Sequence, residues 1–229
     1  MMKILFLGNS HTYYNDLPAL FKKICKECGK DVEVGMIASP GVTYEWHLTQ
    51  YTDLRFALVH GGYDYIIMQQ AAHEPCPSKE ETIRDAEKII EMARAQGVKV
   101  IQTLPWARID IPEEFEKMKD IYYTLCEKYD VKMNPVGHVF ENILKEDPDI
   151  RLHWFDGAHA GPYGSYANAL CTYATLFDTD FDAALPESYD MYPVDGEGDV
   201  CDKDKLLVKL DPEKVNIIKN TVATINELC

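Results

Sequence analysis

The chemistry in this chain begins at Ser10, which follows the short apolar run Ile4-Leu5-Phe6-Leu7 through Gly8-Asn9. A serine hydroxyl attacks a carbonyl only when a base within hydrogen-bond reach takes its proton. The base that fits lies far downstream, in Asp156-Gly157-Ala158-His159. Asp and His three apart across a glycine turn can face one side of a crevice. His159 would then serve as general base, with Asp156 orienting its ring and stabilising the imidazolium. The tetrahedral oxyanion needs two or three donors aimed at its charge. The backbone amides of Ser10 and Gly41 and the side-chain amide of Gln69 or Gln70 could supply them. A glycine at 41 lets the main chain approach a substrate closely. Without such partners Ser10 would merely cap the next helix, since Gly-x-Ser triplets are common.

Other residues of reactive type fit less well. His11 adjoins the nucleophile, too close for its ring to curl back onto the hydroxyl, and reads as a pocket-lining residue. His73, in His73-Glu74-Pro75, reads as a surface-loop histidine near the cleft. Trp46, Trp106 and Trp154 could form a wall for sugars, but each taken singly reads as core or loop packing. Cys25-Lys26-Glu27-Cys28 has C-x-x-C spacing, yet it falls at a helix C-terminus, where the dipole disfavours a thiolate. No ligand spacing points to a metal, and neither metal nor cofactor is expected. Arg55, Arg84, Arg94, Arg108 and Arg151 are too dispersed for a phosphate clamp. The strained elbow of α/β-hydrolases is not matched either, because Thr12 stands where it requires glycine.

For Ser10 and His159 to meet, the elements between them must return repeatedly to one edge of a sheet. Short apolar runs read as buried strands at Ile4–Leu7, Val32–Ile37, Tyr65–Met68, Val98–Leu104 and Val131–Met133. Between them lie helical stripes. Leu17, Leu20, Phe21 and Ile24 share one face, and Thr43 to Leu58 reads as helix broken near Thr52-Asp53. Ser78 and Glu81 make a capping box ahead of Ile83, Ala86, Ile89, Ile90 and Ala93. Pro112 opens a helix with Phe115, Met118, Ile121, Tyr122 and Leu125 in register. Further helices are predicted over Val139–Lys145 and Tyr163–Phe177. This alternation predicts a three-layer α/β/α sandwich on a flavodoxin-like five-stranded parallel sheet of order 2-1-3-4-5. In that order ligands gather at the carboxyl ends of the first and third strands, which brings Ser10 and Gln69-Gln70 to one crevice. A single domain is expected across residues 1–229. Residues 186–212, rich in Asp, Pro and Gly, read as a surface excursion, and a last helix is predicted over Pro212–Leu228.

Composition bounds the possibilities. The chain has 229 residues, 46% hydrophobic and 27% charged, which fits a soluble globular protein. A formal charge of −15 repels phosphate backbones, so nucleic acid is not an expected partner. No apolar run approaches the ~20 residues that span a bilayer. The first strand starts almost at once, leaving no room for a signal peptide. Seven scattered cysteines fit reduced thiols in the cytoplasm, the expected location.

Taken together, the motifs resemble those of the SGNH or GDSL hydrolases. Gly8-Asn9-Ser10 is similar to the family's nucleophile segment, with Asn9 in place of the commoner aspartate. Ser39-Pro40-Gly41 resembles its second segment and Asp156-x-x-His159 its last. A bacterial subgroup is closer still, with a pattern like Thr12-Tyr13-Tyr14-Asn15-Asp16 after the serine. It also has Gly-x-Tyr after the histidine, as in Gly161-Pro162-Tyr163 or Gly164-Ser165-Tyr166. The resemblance spans residues 4 to about 177. It implies a metal-independent serine esterase acting on small acyl esters, O-acetyl groups on a sugar first among them. The family's third segment usually ends in Gly-x-Asn-Asp, and its asparagine donates to the oxyanion. Here glutamine stands in that region, and related carbohydrate esterases favour Gln69 as the donor, with Gln70 behind it. A thioesterase or lysophospholipase with the same triad, or a catalytically silent carbohydrate-binding relative, are the rival implications.

Overall fold

The computed structural model describes residues 1–73, 75–177, 185–191 and 206–224. Its centre is a wholly parallel sheet of Met2–Gly8 (β1), Val32–Ala38 (β2), Tyr65–Met68 (β3), Lys99–Thr103 (β4) and Lys132–Asn134 (β5). The strand order is β2-β1-β3-β4-β5. This is the order expected of strands joined by right-handed helical crossovers. β1 lies between β2 and β3, with Gly8 opposite Ala38 and Leu7 opposite Met68. Ile4 to Leu7 are all buried because both faces of β1 are covered. Ile4, Phe6 and Ile67 point into one core, while Leu5, Leu7, Ile66 and Met68 point into the other.

The first core is covered by Leu17–Glu27 (α2), Val136–Glu146 (α7), Pro162–Leu176 (α8) and Pro212–Ala223 (α9). α8 is buried along most of its length, which explains its run of Ala, Leu, Cys and Thr in place of an amphipathic stripe. The second core is covered chiefly by Tyr44–Thr49 (α3), Tyr51–His60 (α4) and Lys79–Arg94 (α5), with Glu114–Tyr129 (α6) at its margin. The Ser78–Glu81 capping box is present as the sequence predicts. The predicted helix from Thr43 breaks at Gln50 rather than at Thr52-Asp53. Thr43 caps α3 through Trp46 N at 3.3 Å.

Part of the segment read as a surface excursion is ordered as strand. Ser188–Met191 (β6) and Leu206–Lys209 (β7) pair antiparallel, and Tyr189 and Met191 are buried against α2 and α8. Tyr189 OH donates to the Pro162 carbonyl at 3.1 Å. The Asp- and Pro-rich surroundings hide this two-residue alternation in the sequence. Residues 192–205, and the end of the predicted last helix beyond 224, lie outside the described residues. No helix among the described residues is long and apolar enough to cross a membrane.

The Cys25-x-x-Cys28 pair ends α2 with Cys25 inside the core. Burial, with Cys28 adding to it, pushes the Cys25 thiol up to about 12. A thiol so raised packs as a small hydrophobe.

Candidate active site

The carboxyl ends of β1, β2 and β3 deliver Ser10, the 39–43 loop and Gln69-Gln70 to one edge of the sheet. Asn9 makes the turn out of β1. Its Oδ1 accepts from His11 N at 3.1 Å and its Nδ2 donates to the Val42 carbonyl at 3.1 Å, tying the serine turn to the loop after β2. Ser10 is thereby the first residue of the short helix Ser10–Tyr13 (α1). Gly8 is required behind it, because a Cβ there would lie 2.2 Å from Thr12 Oγ1.

Asp156 and His159 sit at the tip of a tight loop. Trp154 N donates to the His159 carbonyl at 2.7 Å, and His153 bridges Ala160 antiparallel below it. Gly157 turns the tip with φ +73, a conformation open to glycine. Asp156 Oδ1 accepts from the amides of Ala158 and His159 at 2.9 and 3.0 Å. Its Oδ2 stands 2.6 Å from His159 Nδ1. A carboxylate only accepts, so Nδ1 carries the ring proton and Nε2 is free to accept. Nε2 lies 2.8 Å from Ser10 Oγ, across 149 residues of chain. Partial burial would raise the Asp156 carboxyl, but hydrogen bonds from the Ala158 amide, the His159 ring and the His159 amide together hold it below the usual range. The carboxylate side chain is nonetheless 40% exposed.

Asn15 joins the two halves of the site. Its Nδ2 donates to the Ala160 carbonyl and to Ser165 Oγ, both at 2.8 Å. It does so from a left-handed backbone, φ 55, and Asp16 follows at φ 53. Asparagine tolerates that region better than most residues. The preceding ring, Tyr14, lies parallel on the His159 imidazole, with centroids 4.0 Å apart and planes 8° apart.

The two glutamines diverge as strand alternation requires. Gln69 continues the Ile67 face. Its Oε1 accepts from Thr12 Oγ1 at 3.0 Å and its Nε2 donates to the Gln70 carbonyl. Gln70 continues the Met68 face, where its Oε1 accepts from the amides of Tyr44 at 2.8 Å and Ala71 at 3.0 Å. Gln70 Nε2 is buried without a partner among the described residues. Gly41 is exposed on the loop after β2, with φ +63.

Three histidines meet here, His11 among them as the pocket-lining residue the sequence suggested. His11 stands 4.9 Å from His159, 4.9 Å from His73 and 5.1 Å from Trp106, by ring centroids. The predicted surface histidine, His73, is in fact 9% exposed, because Glu114 of α6 reaches its Nδ1 at 3.1 Å and draws it inward. Its neighbour Glu74 lies outside the described residues. Burial pushes His11 well below the usual histidine value, and the nearby His73 and His159 push it the same way. Trp106 is core, stacked on Phe140 at 4.5 Å, and it donates Nε1 to the Ala158 carbonyl at 2.9 Å. Trp154 meets Tyr14 edge-on at 6.4 Å, and Trp46 packs against His47 at 5.2 Å. Among the described residues no three His, Cys, Asp or Glu side chains gather as a metal site.

The layers and strand order are those of the SGNH-hydrolase fold. The sequence matches no protein-family model and no curated protein. Solved structures do match. A DUF4886 family protein from Bacteroides uniformis superposes with TM-score 0.71 at 15% identity, covering 98% of this chain and 95% of its own. A protein from Slackia heliotrinireducens described as a candidate SGNH hydrolase gives TM-score 0.64 at 23% identity, over 76% of this chain and 98% of its own. The acetyl xylan esterase AlAXEase gives 0.64 at 16%, over 77% and 100%. At these identities the likeness establishes the fold.

Two predictions follow from the geometry. Asn15→Ala removes two buried hydrogen bonds and puts a poorly tolerated residue in the left-handed region, so it should destabilise the fold by roughly 2–4 kcal/mol. Thermal melts should show a Tm lower by about 5–15 °C. Asn15→Gly should recover only the backbone part. The second concerns acid. Burial, the largest cause in each case, lowers His11, His47, His73 and His153 below the ordinary value. The folded chain therefore binds these protons less readily than the unfolded chain. Stability should be full at pH 7.5 and fall as pH drops below about 6.5, the unfolded value. Urea midpoints at pH 7.5 and 5.5 check this, and His11→Asn should flatten the fall.

Proposed function

We propose that the chain is a serine esterase that hydrolyses small acyl esters, with the O-acetyl group of a carbohydrate as its substrate. The observation that carries this reading is the continuous contact from Ser10 Oγ to His159 Nε2 at 2.8 Å and from His159 Nδ1 to Asp156 Oδ2 at 2.6 Å. In this mechanism His159 takes the Ser10 proton as Oγ attacks the acyl carbon. The imidazolium, held by Asp156, returns that proton to the leaving alcohol. Water then repeats the cycle on the acyl-enzyme.

The sequence motifs imply a small acyl group. The name of the AlAXEase neighbour, an acetyl xylan esterase, agrees with an acetylated sugar.

The Ser10 and Gly41 amides are two oxyanion donors in this reading. Gln69, favoured by the family pattern, has its Oε1 taken by Thr12 and one of its two N–H groups taken by the Gln70 carbonyl. Gln70 Nε2 has no partner among the described residues, so the third donor is assigned to it.

Ser10→Ala should abolish release of p-nitrophenol from the acetyl ester, and a fluorophosphonate probe should label the wild type at Ser10. Labelling elsewhere, or none, would remove the nucleophile assignment and favour a silent carbohydrate-binding role. Rates should fall steeply from acetyl to decanoyl esters, and the opposite trend would indicate a thioesterase or lysophospholipase. Released acetate from a panel of acetylated sugars identifies the alcohol. For the oxyanion, Gln70→Ala should lower kcat by roughly a hundredfold with little change in KM, because the donor meets charge present only in the transition state. Gln69→Ala should do less, through the lost Thr12 contact. The reverse order would return the third donor to Gln69.

A further inference from the structure

Two hydrogen bonds hold the His159 ring, one at each nitrogen. Both lie near the ring plane, so neither strongly resists rocking about the line that joins them. The faces must supply that restraint. Tyr14 covers one face almost in parallel, at 4.0 Å and 8°. Neutral aromatic pairs favour offset or edge contacts at ~4.5–7 Å, since two π clouds repel face to face. A closer, flatter stack suits a ring that becomes a cation, because the tyrosine face is negative and attracts it.

The placement of Tyr14 is built in. It follows Ser10 within one helical turn, and its own amide returns to the Ser10 carbonyl. Asn15 then fixes the next residue to Ala160, the neighbour of His159. The phenol ring is 5% exposed. The carboxylate opposite is 40% exposed, so water weakens its hold on the imidazolium. His11, at 4.9 Å and 35°, is a tilted neighbour that offers no such face.

We propose that Tyr14 is a positioning residue for His159, its ring face fixing the imidazole plane for transfer of the Ser10 proton and stabilising the imidazolium while the tetrahedral intermediate exists. This rests on the esterase reading above. The proton path is unchanged: it runs from Ser10 Oγ to His159 Nε2 and on to the leaving alcohol. Tyr14 neither donates nor accepts a proton.

The test compares kcat and KM on p-nitrophenyl acetate for wild type, Tyr14→Phe, Tyr14→Leu, and protein carrying di- and trifluorinated phenylalanine at position 14. Tyr14→Phe keeps the face and should stay within about threefold of wild type. Tyr14→Leu should lower kcat by roughly tenfold with KM almost unchanged. Ring fluorines keep the shape but drain the face of charge, so kcat should fall stepwise with each substitution. Circular dichroism establishes that each variant is folded, and the fluorinated series decides alone if the leucine variant is not. A flat fluorine series, or a loss in Tyr14→Phe as large as in Tyr14→Leu, would overturn the proposal while leaving the esterase intact. A wild type inert to both the acetyl ester and the fluorophosphonate probe would overturn the esterase reading, and this proposal with it.

Discussion

The interaction on which the site depends is the pair of hydrogen bonds from Asn15 Nδ2 to the Ala160 carbonyl and Ser165 Oγ. Ser10 and His159 belong to segments 149 residues apart, yet their contact must hold to within a few tenths of an ångström. Sheet topology brings the two segments to the same edge but fixes nothing at that scale. Asn15 supplies the registration. One amide group reaches the loop that carries His159 and the first turn of α8 together, from a backbone conformation that few side chains tolerate. The strain is offset because both acceptors are otherwise buried and in need of a donor.

Around that junction the polar groups form a closed accounting on each face of the sheet. Gln69 answers Thr12, Gln70 answers the amide of Tyr44, and Gln102 accepts from Tyr44 OH at 2.8 Å. Asn134 donates to Thr172 Oγ1 at 2.9 Å and accepts from Thr175 at 3.2 Å, so the end of β5 is tied to the buried face of α8. Such side chains at the carboxyl ends of strands would be expensive without partners. Five buried side-chain nitrogens lack a partner among the described residues, on His11, His47, Gln70, His73 and His153. Of these, His11 lies beside both His73 and His159.

The strand order was legible because each strand is a short apolar run closed by turn residues, and five such runs alternating with helices admit few topologies. The segments that bring Ser10, Asp156 and His159 together were legible for a different reason: Gly-x-Ser after a strand and Asp-x-x-His across a glycine turn carry their geometry in local spacing. What could not be read depends on contacts distant in sequence. His73 looks like a loop histidine until Glu114, 41 residues on, is seen to reach it. Tyr14 carries no signal of stacking, since nothing local says which ring it will cover. Tyr189 and Met191 sit amid Asp and Pro, and their burial follows from the partner strand and from α8. Which of Gln69 and Gln70 faces Thr12 and which faces Tyr44 depends on strand phase, which a sequence cannot fix where a strand ends.

The loop bearing Asp156 and His159 is lashed to its neighbours mainly through carbonyl oxygens. Trp106 Nε1 reaches the Ala158 carbonyl, His153 Nε2 donates to that of Ala107 at 2.9 Å, Ile109 N donates to that of Gly157 at 2.9 Å, and Asn15 reaches that of Ala160. Every residue type presents the same carbonyl. The side chains at positions 107 and 158 take no part in this fastening, whereas those of Asn15, Trp106 and His153 supply its donors. A scaffold fastened this way lets most of its surface change around a few fixed donors.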